Sequence, residues 1–150
     1  MRNLIIALLF LTLPAAATPS EDFVRKVVAE RIASKGESEK FVAAHPVYFE
    51  PDLLKLLKSS AYAENKKAWL ACDAFSGTQG RITKLISVKE VGSKRVEVKY
   101  TCQGPRGLSD TSFTAVLSSA GKISDILWFK PDHSLRQLCE AAVKANQGSR

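Results

Sequence analysis

The feature that most constrains this chain is an alternation in its second half. Val96, Val98, Tyr100 and Cys102 are apolar, and Arg95, Glu97, Lys99 and Thr101 between them are polar. Strand side chains point to opposite faces with a period of two, so this run predicts a strand with one buried and one wet face. It is the second of four β-like segments of similar length, at 82–90, 94–102, 111–118 and 122–130. Val91-Gly92-Ser93 and Ser119-Ala120-Gly121 are tight hairpin signals. Residues 103–108 are longer and looser, which predicts an exposed hairpin end. Together these segments predict an antiparallel meander whose apolar face needs a cover.

The first half of the chain supplies it. Phe23, Val24, Val27, Val28 and Ile32 recur at helical spacing, with Ser20 as N-cap, acids in the first turn and Lys35-Gly36 as the stop. Residues 37–44 predict a second short helix with Phe41 and Val42 inward, halted before Pro46. A third starts at Pro51 and presents Leu53, Leu54, Leu56 and Leu57; residues 61–71 continue it or form a separate helix. At the other end, the strand with Ile123, Ile126, Leu127, Trp128 and Phe129 breaks at Lys130-Pro131-Asp132 and enters an amphipathic helix, with Asp132 or Ser134 as its cap. The expected fold is α+β: N-terminal helices packed on a curved four-stranded antiparallel sheet, closed by a short C-terminal helix.

Residues 1–17 have the form of a secretory signal. A short positive start precedes an apolar run from 4 to 13 and the small residues of Pro14-Ala15-Ala16-Ala17, with cleavage expected after Ala17. The run is about half of the roughly 20 residues that span a bilayer. The expected organisation is therefore a signal at 1–17, one α+β domain at 18–145 and a frayed tail at 146–150, exported to the periplasm or secreted, with no transmembrane segment after cleavage. The formal charge of +7 is spread over isolated basic pairs, without the aromatic-basic interleaving that stacks bases, so no nucleic-acid role is expected.

Cys72, Cys102 and Cys139 have no C-x-x-C spacing. In an oxidising compartment two of them are expected to pair; spacing alone allows all three pairings, with Cys72–Cys102 slightly preferred over Cys72–Cys139. His45 and His133 are dispersed, so neither a metal nor a cofactor is expected. Asp132-His133-Ser134 holds the residue types of a hydrolytic triad, but consecutive residues do not reach the required geometry.

Three local patterns carry a resemblance. They are Tyr48-Phe49-x-Pro51-x-Leu53-Leu54, the loop Asp73-x-Phe75 to Gln79, and Ile123-Ser124-Asp125-Ile126-Leu127-Trp128 followed by Ser134-Leu135-Arg136-x-Leu138. With the order of helices before strands, the chain resembles an exported bacterial family of unknown function within the nuclear-transport-factor-2-like, cone-shaped superfamily. That family's loop usually carries an aspartate after the glutamine, and here Gly80 follows Gln79. The resemblance implies a cone-shaped sheet covered by helices with an apolar cavity at its mouth, a fold that hosts isomerases, dehydratases and protein-binding modules alike.

The candidate pocket residues are Asp73, Gln79 and Asp125, walled by Tyr48 and Trp128. A carboxylate in such a mouth is suited to moving a proton. The structural alternative is that Asp73 satisfies backbone amides of its loop and that Asp125 faces solvent or pairs with Arg136. No catalytic set is assembled by the sequence. The expectation is a binding module that engages a protein or small ligand at the mouth or at the 104–108 hairpin tip. The alternatives are an isomerase or dehydratase, a periplasmic immunity or inhibitor protein, and an accessory domain of an envelope assembly.

Overall fold

A computed structural model describes residues 16–61, 73–77, 80–128 and 133–147. Among them the order is α1 (Pro19–Ser34), α2 (Ser38–Ala44), a 3-10 turn (Pro46–Tyr48), α3 (Pro51–Ala61), β1 (Arg81–Gly92), β2 (Arg95–Gly104), β3 (Gly107–Leu117), β4 (Ile123–Trp128) and α4 (Leu135–Gln147). The strands form one antiparallel sheet in the order β1-β2-β3-β4. This is the expected α+β architecture. Nearly all of the signal segment, residues 62–72 of the expected third helical region, and the tail at 148–150 lie outside the described residues.

The α1 start differs from the expectation. Thr18, rather than Ser20, is the N-cap: its hydroxyl accepts from the Glu21 amide at 3.2 Å, and the Glu21 carboxylate accepts from the Thr18 amide at 3.1 Å. A reciprocal box needs Glu or Gln three residues after the cap, and only Thr18 has one there, because Phe23 follows Ser20 at that spacing. Lys35, with φ 50°, closes the helix. Val24, Val27 and Val28 are buried on one face of α1.

The alternation in β2 is reproduced, with Val96, Val98 and Tyr100 fully buried and Arg95 and Lys99 exposed. The third strand is longer than its sequence suggests. β3 begins at Gly107, pairs Gln103 with Leu108 and Gly104 with Gly107, and leaves only Pro105 and Arg106 as the loop. Gly107 makes this possible, because its φ of 103° is one that side-chain-bearing residues rarely adopt. The hairpin end is exposed, as expected, but it is a short turn on paired strands rather than a long, loose loop.

Helices and sheet meet in a core organised around Phe75, which is fully buried. Its ring lies 5.8 Å from Phe41, 6.2 Å from Phe49 and 6.0 Å from Phe113, all edge-on, and Phe113 continues to Tyr100 at 5.6 Å. Such pairs contribute roughly 0.5 to 1.5 kcal/mol each beyond the area they bury. α4 packs on α3 and β4, and its Leu135 and Cys139 are fully buried. The β4 edge is covered: the Glu50 amide donates to the Ile123 carbonyl at 2.9 Å, and the Trp128 amide to the His133 carbonyl at 3.0 Å.

Candidate functional site

Asp73 opens a tight turn. One carboxylate oxygen accepts from the amides of Phe75 at 2.9 Å and Ser76 at 3.0 Å, while its main-chain carbonyl accepts from the Gly77 amide at 2.8 Å. The other oxygen is ion-paired with Arg31 of α1. The pair is nearly dry, with side chains 3 % and 11 % exposed. Both oxygens are thus engaged in holding the turn against α1, as in the structural alternative. Sequence reasoning missed the Arg31 partner, although a signal was present: Arg31 continues the buried stripe of Val24, Val27 and Val28 at helical spacing.

Trp128 belongs to the same turn. Its indole Nε1 donates to the Phe75 carbonyl at 3.1 Å, and its ring lies over Gly77, where a Cβ would sit 2.6 Å from ring carbons. Gly77 also has φ 62°, so the turn needs glycine twice over. The structure therefore brings Asp73 and Trp128 together, as components of a packed turn. Beside them the Tyr100 hydroxyl donates to the Ser76 carbonyl at 3.4 Å, and burial pushes its phenol well above the usual range.

Asp125 and Tyr48 have other tasks. Asp125 accepts from the amides of Ile126 at 2.8 Å and Arg136 at 3.0 Å, which ties β4 to the first turn of α4. Its contact with Arg136 is to the backbone, while the guanidinium donates to the Ser124 carbonyl at 3.2 Å. Ser134 completes that helix start, accepting from the Gln137 amide at 3.0 Å. Tyr48 donates to Glu30 at 2.8 Å and stacks beside His45. Its phenol is held above the ordinary range, first by that hydrogen bond and then by burial. Gln79 lies outside the described residues.

A groove of about 580 Å³ lies elsewhere, at the end of the β2–β3 ribbon. Gly80, Cys102, Ser109, Asp110 and Thr111 line it, with Gly104, Pro105, Arg106, Gly107 and Leu108 at the ribbon tip. In the pairing register Cys102 and Ser109 are opposite each other, as are Tyr100 and Thr111. The groove is thus where the buried face of the sheet runs out beyond its helical cover. Leu108 at its rim is 67 % exposed. None of the described candidates Tyr48, Asp73, Asp125 or Trp128 lines it.

Cys102 and Cys139 are both buried, Cys72 lies outside the described residues, and no disulfide joins cysteines among the described residues. Among the described residues no three His, Cys, Asp or Glu side chains gather as metal ligands, and no helix is long and apolar enough to cross a membrane. No protein-family model matches the chain, and no curated protein or solved structure matches it either.

Proposed function

We propose that this protein is an exported binding module that takes a protein segment or small ligand at the open end of its sheet, in the groove between Gly80 and the 104–108 ribbon tip. The observation that carries the reading is the groove itself. A concave site of about 580 Å³ falls within the roughly 300 to 1,000 Å³ of ordinary ligand sites. It is formed by regular, paired strands, with Ser109, Thr111 and Arg106 as polar groups and Leu108 as an apolar rim. The carboxylates suited to proton transfer in an isomerase reading are committed to backbone amides, and in the case of Asp73 to Arg31. That commitment favours binding over proton transfer. Helices preceding a four-stranded antiparallel meander also support kinship with the cone-shaped superfamily.

The test is a capture experiment from periplasmic extract with two baits, the wild type and Ser109→Trp. The indole of the variant fills the groove from an exposed strand position. The expected result is a species retained by the wild type at low and moderate salt and lost with the variant. Identical captures with both baits, or none with either, contradict the proposal.

A further inference from the structure

The positive charge of the described chain is segregated. Residues 16–61, which hold the first three helices, carry seven Lys or Arg and seven Asp or Glu. Residues 81–117, which hold β1 to β3, carry seven Lys or Arg against three Asp or Glu. The excess therefore sits on the sheet, and strand register places four of these seven cations, Lys84, Lys89, Arg95 and Lys99, on the face turned away from the helices. Across the strands, Lys84 lies level with Thr101 and Asp110, Ser87 with Lys99 and Ser112, and Lys89 with Glu97 and Thr114. Lys84, Lys89, Arg95 and Lys99 are all exposed.

We propose that this outer face of β1 to β3 is a docking surface for an acidic protein surface. Charge complementarity identifies the occupant as anionic, since such a face steers an oppositely charged partner into register. The arrangement selects a protein among anions. Glu97 lies 3.7 Å from Lys99, and Asp110 accepts from the Thr101 hydroxyl at 2.8 Å, so two carboxylates stand among the cations. A uniformly charged phosphate polymer or headgroup layer meets like charge at both, whereas a polypeptide surface can place a cation or hydroxyl opposite them. Among the described residues the aromatic rings of the sheet, Tyr100, Phe113 and Trp128, are on the buried face, so none stands on the outer face to stack bases. A hollow of about 380 Å³ lined by Ile86, Lys99, Asp110, Thr111 and Ser112 adds an apolar seat beside a cation. Ile86 is 47 % exposed, one aliphatic side chain where a bilayer-inserting element presents a whole apolar stripe.

This surface uses residues that do not line the groove, apart from Asp110 and Thr111 at the border, so its failure leaves the groove reading standing. The probe is a fluorescein-labelled peptide rich in glutamate with serine and lysine interspersed, so that carboxylates can meet the cations while a hydroxyl or ammonium meets Glu97 and Asp110, titrated by anisotropy at about 0.1 M ionic strength. The triple variant Lys84→Glu, Arg95→Glu, Lys99→Glu is expected to weaken binding at least about tenfold, from three contacts of the usual exposed strength. The charge-matched triple Lys40→Glu, Lys55→Glu, Lys58→Glu on the helical side stays within about twofold of wild type, because at about 0.1 M ionic strength screening confines each contribution to about 10 Å. A Lys84→Gln, Arg95→Gln, Lys99→Gln variant, checked for an unchanged circular dichroism spectrum, falls between wild type and the outer reversal. Single-stranded DNA and phosphatidylglycerol vesicles bind more weakly than the peptide. No peptide binding, equal weakening by the two reversals, tighter binding of DNA or vesicles, or any other ranking overturns the proposal.

Discussion

Replacing Asp73 with Asn keeps an oxygen for the amides of Phe75 and Ser76 but removes the charge that faces Arg31. The guanidinium then stays buried without its counter-ion, a situation that costs about 3 to 5 kcal/mol in comparable sites. Asp73→Asn is therefore expected to lower unfolding free energy by about 3 kcal/mol in a urea titration. Converting Arg31 to Met in the same chain restores most of the loss, since no lone charge remains. A loss below about 1 kcal/mol, the range of exposed pairs, contradicts the assignment of Asp73 as a buried structural anchor. At this scale the sequence was only half legible. An Asp opening a Gly-containing loop reads directly as a turn residue, but its partner is 42 positions away, a contact that neither periodicity nor local spacing specifies. Trp128 was legible as a candidate, yet its place on Gly77 depends on how two distant segments close on each other.

At the scale of elements, α1 and β1 are joined by one acid with two tasks. Glu21 accepts from the Thr18 amide within its own helix start and, through its other oxygen, from the Glu90 amide on the β1 edge at 2.8 Å. These backbone hydrogen bonds, that from Glu90 first, hold its carboxyl below the ordinary range. A carboxyl depressed in the fold contributes its full stabilisation above the unfolded pKa and loses it as pH falls through the folded one. The thermal midpoints of wild type and Glu21→Gln are thus expected to differ by a constant amount above about pH 6, and to converge below the unfolded glutamate value near about 4.3. A gap that persists unchanged into acid contradicts the clamp. The elements themselves were legible because each carries its own period: 3.6 through Val24, Val27 and Val28, and two through β2. Their ends were less so. The start of α1 turned on a reciprocal pair rather than on the residue type of Ser20, and the start of β3 turned on the left-handed freedom of Gly107.

For the fold as a whole, among the described residues one side of the sheet is covered by helices and the other is left to water, while the ribbon tip at 105–108 is exposed. That division follows from the apolar and polar faces of the strands, so the layering was readable in advance. The expected pocket was not, because its four described members, Tyr48, Asp73, Asp125 and Trp128, are distributed among a turn, a helix start and an aromatic stack by contacts that cross the layers. The account places recognition at the sheet's open end. Leu108, at the groove rim, and Val47, on the helical side, are equally exposed at 67 %, so either position can carry a photo-crosslinking benzoylphenylalanine without disturbing the core. The most direct measurement is ultraviolet crosslinking of these two variants in cells that make the protein. The account predicts a discrete adduct from position 108 and none from position 47; an adduct from position 47 alone, equal adducts from both, or none from either contradicts it.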